Sequence, residues 1–410
     1  MTFAPAGFAW QADAVSVTSD GGTRGRGGAS TPRLERWSSG RERYVDNLKV
    51  LLIATVIVGH AIVGYTEFDW WAYADVREVS LASTTAIILL VVAAPFGLLV
   101  IPLLFLVAGL LTPPSLEHKG PGRFSKDRLL RLGVPFLVFA VLMWPLLEYG
   151  LFRWLGGAPD LWTYLLAERS LDTGVLWFVG ALLVFSLAAA AWTRMGAQAD
   201  RARHVEVRIA HLLALAAVVT VATFLLRLAV PFEADNWFID LNLWEWPTCA
   251  ALFGLGMVAA RDGWLRAVPD RMHRQSRTAT LVTLGAAGLF VAAVILLGID
   301  LEQLSGGWNW PALLFAAGES TLSVVGPVWL LAVAQQHLDR DFRWAGPAVK
   351  RSAYGAFLLQ GPVLIGLALA LRPVPMVAEL KALIVAVAGV VTSFALAWLL
   401  IRVPGVDRVL

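Results

Sequence analysis

"YVDNLKVLLIATVIVGHAIVGY", residues 44–65, decides the class of fold. After Lys49 the stretch is almost wholly apolar. As a helix it is long enough to cross the ~30 Å hydrocarbon core of a bilayer. Two features break the pattern. Asp46 and Lys49 stand at its start, and His60 sits deep in the apolar part with no charge beside it in sequence.

Runs of the same kind recur outward along the 410 residues. The chain is 58% hydrophobic and 15% charged, with a mean hydropathy of +0.68, whereas a soluble domain carries about 25% charged residues. Apolar windows of membrane-spanning length predict ten spans: 44–65, 83–112, 129–151, 174–193, 207–231, 244–260, 278–299, 311–337, 351–371 and 378–402. The second contains Pro95 and Pro102, which predicts a kinked or partly interfacial helix. The sixth is short. The runs are continuous and do not alternate, which excludes a transmembrane barrel. The expected fold is an all-α, polytopic transmembrane helical bundle.

Lysines and arginines orient the bundle. With the N-terminus in the cytoplasm, inner segments hold Arg33, Arg36, Arg41 and Arg43, then Lys119, Arg123, Lys126, Arg128 and Arg131, then Arg194, Arg201, Arg203 and Arg208. Further inner segments hold Arg261, Arg266, Arg271, Arg274 and Arg277, then Arg340, Arg343, Lys350 and Arg351, and finally Arg402 and Arg408. The outer segments hold only Arg77, Arg153, Arg169, Arg227, Arg372 and Lys381, with the acids Glu67, Asp69, Asp75, Asp235, Asp240, Asp300 and Glu302. Both termini are therefore expected in the cytoplasm, and the protein in the plasma membrane.

Residues 1–40 are rich in Gly, Ser, Thr and Arg and are expected to form a disordered basic tail ahead of a membrane domain at 41–410. They lack the apolar core and cleavage site of a signal peptide. Cys249 is the only cysteine, which excludes an intramolecular disulfide and a cysteine metal site. No metal, no permanently bound cofactor and no nucleic-acid partner is expected. The halves do not repeat, and no phosphate-binding GxxxxGK[ST] motif occurs.

Ionisable groups in hydrocarbon cost several kcal/mol unless paired or solvated, so each is a candidate for function. His60 lies roughly 8 Å, and Glu319 roughly 12 Å, below the outer ends of their spans at 1.5 Å per residue. Contact between them is open to test. Lys49 and His60 are eleven positions apart, three turns plus roughly 20°, so they share one helix face. That face would run from a cation at the cytoplasmic mouth to a base further in. Plainer readings exist. A lone histidine can bond a neighbouring helix, Glu319 can be a structural partner, Lys49 can snorkel to headgroups, and Arg128 and Arg131 can be positive-inside charges only. Two titratable groups at one depth favour proton transfer. A proton-coupled transporter of a small amphiphile, with His60 and Glu319 as relay, is the alternative function, and the missing repeat counts against it.

Six segments, in order, resemble the acyltransferase-3 family of integral membrane acyltransferases. "RYVDNLKVLLIATVIVGH" is similar to the family's first helix, with Lys49 and His60 at the spacing of its cation and histidine. "IPLLFLVAGLL" resembles its second helix, with Ala108 where serine is common. "FSKDRLLRLGVPFL" resembles its basic entry to the third helix, with Arg128, Arg131 and Pro135. "VLWFVGALLVFSL" resembles its Trp-Phe helix through Trp177, "GESTLSVVG" its glutamate segment through Glu319, and "SAYGAFLLQGPVLI" a late segment through Tyr354 and Gln360. Gln360 stands where many relatives have histidine, and Lys49 where arginine is commoner.

The resemblance implies transfer of an acyl group, often acetyl, from cytoplasmic acyl-CoA to a hydroxyl of a carbohydrate or other extracytoplasmic acceptor. It implies His60 and Glu319 as catalytic residues, Lys49, Lys126, Arg128 and Arg131 toward the CoA phosphates, and Trp177, Tyr354 and Gln360 toward substrate. The residues suit that chemistry. A hydroxyl needs a base in the transition state, and imidazole is tuned for it. Glu319 could orient the imidazole, as the acid does in a hydrolase triad. Direct transfer and an acyl-histidine intermediate both remain open.

Overall fold

The computed structural model describes residues 43–67, 77–154, 156–157, 160–167, 173–195, 206–231, 241–406 and 409. The expected tail at 1–40 and the charges Arg41, Asp69, Asp75, Arg169, Arg201, Arg203, Asp235, Asp240 and Arg408 lie outside the described residues. The chain is an all-α bundle. Its helices are α1 (Arg43–Val63), α2 (Ser83–Arg128), α3 (Val134–Val138), α4 (Trp144–Trp154), α5 (Leu161–Ala167), α6 (Trp177–Arg194) and α7 (Ile209–Leu226). There follow α8 (Trp246–Arg261), α9 (Asp270–Leu297), α10 (Glu302–Ser305), α11 (Trp310–His337), α12 (Pro347–Leu371) and α13 (Ala378–Leu400).

Among the described residues, nine helical runs are long and apolar enough to cross a membrane. One of them, Pro95–Trp154, has 60 residues, about 90 Å of helix and three times the hydrocarbon thickness. Gly120, at φ 70° and ψ 157°, interrupts it. Glycine reaches that conformation without a Cβ penalty, and Pro121 follows it. The nine runs thus accommodate the ten predicted crossings. Pro95, Pro102, Pro113 and Pro114 lie inside α2, and the residue of α2 with non-helical angles is Gly120. Neighbouring helices can satisfy the carbonyls that such prolines free.

Pro135 acts differently. Two π-helical turns, Leu129–Gly133 and Phe139–Met143, flank α3. Pro135 has no N–H to give the carbonyl of Arg131 four residues back. The hydroxyl of Tyr354 on α12 donates to that carbonyl instead, at 2.8 Å. The irregular third span is thereby tied to α12.

Hydrogen bonds group the loops at two ends. At one end, Asn47 Nδ2 donates to the carbonyls of Leu338 (2.7 Å) and Arg340 (2.8 Å), capping α11 from α1. There too, the Tyr44 hydroxyl donates to Leu265 O (2.6 Å), and Gln335 Nε2 to Trp264 O (2.7 Å). At the other end, Lys381 pairs with Glu78 and donates to Leu371 O (3.0 Å). Leu81 N donates to Tyr65 O at 2.8 Å. This grouping follows the alternation of the predicted inner and outer loops.

In the interior, α12 packs on α13 and α1, while α11 packs on α7, α9 and α2. The tightest crossing joins α2 to α8. A Cβ built on Gly109 would lie 2.1 Å from Phe253 O, and one built on Gly256 would lie 2.3 Å from Leu106 O. The two backbones meet there because neither residue has a side chain.

Candidate functional site

His60 lies in the last turn of α1. Its Nδ1 is 3.0 Å from Oε1 of Gln360 on α12. Since Oε1 can only accept, this contact calls for the proton on Nδ1. Gln360 is completely buried, and its Nε2 has no hydrogen-bond partner. His60 itself keeps partial exposure. Beside Gln360, Gly361 faces the ring of Trp144, its built Cβ 3.0 Å from Cζ3. That ring lies equally close to Gly174, at φ +49°, and stacks on Phe139 at 5.5 Å. Larger residues at 174 or 361 would displace the indole.

Along α12 toward the other end stands Tyr354, six residues and roughly 9 Å from Gln360. Its hydroxyl reaches the Arg131 backbone. Arg128 is close enough to interact electrostatically with Arg131 and Tyr354, and its guanidinium lies over the Phe124 ring at 4.9 Å. Lys126 is exposed. Nearby, Lys119 pairs with Asp127 at 2.6 Å. Lys49 sits 4.0 Å from Asp46, one turn back on α1, with 43% of its side chain exposed. Three of the four predicted donor-side cations thus cluster in one segment, and the Tyr354 hydroxyl is spent on backbone.

Glu319, expected beside His60, is engaged with a partner that the sequence reading did not name. Both of its carboxylate oxygens are taken by Arg227, Nη1 to Oε2 at 2.7 Å and Nη2 to Oε1 at 2.9 Å. The two side chains are 3% and 4% exposed. Arg227 follows the end of α7, with Trp244 and Phe315 rings 5.9 and 5.8 Å from its guanidinium. The carboxylate of Glu245 interacts electrostatically with both partners. Arg227 counted in sequence only as an outer-loop cation. The available signal was an arginine inside "FLLRLAV", an apolar run with a lone glutamate in another span.

Trp177 begins α6, nearly buried and edge-on to Phe178, 6.5 Å between ring centres. It contributes to the apolar core of the bundle. Among the described residues, no three His, Cys, Asp or Glu side chains gather to hold a metal ion.

The arrangement therefore offers one imidazole held at Nδ1, a buried amide donor beside it and a cationic corner further along α12. The chain matches the family model described as an acyltransferase domain, Acyl_transf_3, over residues 42–402. No curated protein and no solved structure matches it.

Proposed function

Since the chain belongs to the Acyl_transf_3 family and is a multi-pass membrane acyltransferase, we propose that it moves an acyl group, acetyl in the simplest case, from cytoplasmic acyl-CoA to a hydroxyl of a carbohydrate or similar acceptor across the plasma membrane. The observation that supports this reading is the layout of α12. It carries Tyr354 at the Arg128–Arg131 corner and Gln360 at the imidazole of His60. The cationic corner and the imidazole both stand beside this one helix, which suits a single donor that presents phosphates to one and a thioester to the other. Guanidinium and ammonium groups suit the CoA phosphates, and Lys126 and Lys49 add charge at the same end.

In a direct transfer, Nε2 of His60 takes the proton of the acceptor hydroxyl as that oxygen attacks the thioester carbonyl carbon. The carbon–oxygen bond forms as the carbonyl oxygen takes up negative charge, and the carbon–sulfur bond then breaks as the carbonyl re-forms. The imidazolium then returns the proton to the leaving thiolate. Each step needs Nε2 unprotonated at the start, and the Nδ1 contact to Gln360 supports that state. The step is written without Glu319, whose carboxylate is paired with Arg227.

The test is incubation of purified protein with labelled acetyl-CoA and envelope extract, followed by identification of the labelled product. His60→Gln keeps a hydrogen-bonding group but cannot cycle a proton, and should cost roughly a hundredfold or more in turnover. Near-normal transfer by the folded variant would leave His60 as a packing residue.

A further inference from the structure

The amide nitrogen of Gln360 is the part of the dyad that the proposed reaction has not yet used. Its amide has two functional ends. Oε1 is engaged with His60 Nδ1 at 3.0 Å. Nε2 carries two hydrogens, is buried and has no partner. An unsatisfied buried donor costs about 1–3 kcal/mol, and such groups in native interiors almost always have an account. Water-excluded donors cluster where charge develops during a reaction. The neighbouring residues pack the helix that carries it: Gly361 lets Trp144 close against α12, and Leu364 one turn on fills the notch at Gly389 on α13. Gln360 is thus held on a rigid helix, one atom on the base and one donor bare.

We propose that Gln360 serves the reaction twice, holding His60 as the Nδ1–H tautomer and donating its amide N–H to the acyl carbonyl oxygen of the thioester. As the acceptor oxygen adds to the carbonyl carbon, the carbonyl oxygen gains negative charge. The Nε2–H donor meets that charge without reorganising, and when the carbon–sulfur bond breaks the carbonyl re-forms. No proton leaves the amide in either direction. The residue is neutral throughout, so it performs the positioning that a histidine could share while being unable to compete with His60 for the proton. This inference rests on the acyl-transfer reading, but its first half concerns the resting protein alone.

Two measurements test it. The first is the ¹⁵N spectrum of histidine-labelled full-length protein in bilayers, with His60→Gln used to assign the signal. The expected pattern is a protonated Nδ1 and a bare Nε2. A protonated Nε2 with a bare Nδ1 would overturn the proposal whatever the protein catalyses. The second is steady-state transfer by Gln360→Leu and by Gln360→Met, the latter keeping chain length should the former misfold. Loss of a single oxyanion donor is worth ~10²–10³ in kcat, so kcat should fall at least tenfold while KM for acetyl-CoA stays within threefold. A folded variant that keeps kcat within tenfold of the parent overturns the donor role. If the parent itself transfers no acyl group from any acyl-CoA, the acyl-transfer reading falls and takes the donor role with it, while the tautomer is still decided by the spectrum.

Discussion

Replacing Arg227 by methionine should unfold the bundle far more readily than replacing Arg227 and Glu319 together. The pair is bidentate, 2.7 and 2.9 Å, with side chains only 3% and 4% exposed. Charge centres about 4 Å apart attract by about 4 kcal/mol at an effective dielectric of 20, and desolvation offsets much of that. Removing one partner forfeits the attraction and strands the other charge, which costs about 3–5 kcal/mol. Here the stranded carboxylate also faces Glu245, a second acid, which places Arg227→Met at the upper end. The Arg227→Met, Glu319→Met double variant removes the desolvation cost as well and should lie within about 1 kcal/mol of the parent or above it. Unfolding followed by tryptophan fluorescence in micelles, with acyl transfer measured at a permissive temperature, reads both quantities. The double variant should retain transfer. If Glu319→Gln unfolds like the parent yet loses transfer, Glu319 takes part in chemistry and the structural assignment is wrong.

Other outcomes follow from particular contacts. Gly109→Val should prevent stable assembly, because its Cβ would lie 2.1 Å from Phe253 O; monodisperse, folded protein on size-exclusion chromatography would contradict the close crossing. Arg128→Ala with Arg131→Ala should weaken acyl-CoA binding at least tenfold in calorimetry while leaving the fold intact, and unchanged affinity would remove the donor-site proposal. Tyr354→Phe deletes the hydroxyl that satisfies Arg131 O and should cost about 1 kcal/mol of stability, read as a shift in the unfolding midpoint. In a Cys249→Ala background, cysteine at position 303 should react with an impermeant reagent from outside the cell and cysteine at 340 should not; the reverse result inverts the topology.

Hydropathy and charge were enough to read the spans, because a bilayer imposes one length and one composition on every crossing helix. They located α11 and α12 to within a turn or so, and the 60-residue run from Pro95 to Trp154 contains both the second and third predicted spans. Position along each helix was legible to the same degree. Azimuth was not. Glu319 was placed at a similar depth to His60, yet it turns to Arg227, since rotation about a helix axis is set by packing that a uniformly apolar sequence does not encode. Gln360 was read as the loss of a titrating base. Its contact with His60 joins positions 300 residues apart, which no local pattern can report. Asn47 was silent for the same reason, its use as a cap for α11 being visible only once the two helices meet.

The notch where Gly109 meets Gly256 also imposes a calendar on synthesis. The two residues are 147 positions apart by their numbering, so at about 5–20 residues per second the second emerges about 7–30 s after the first. During that interval the notch of α2 at Gly109 has no helix to receive it, and lipid tails must line it as a provisional neighbour. When α8 arrives it expels them, and two backbones take their place. The second crossing is thus inserted early and finished late, and a ribosome that stops short of residue 256 leaves behind a bundle whose most intimate seam was never sewn.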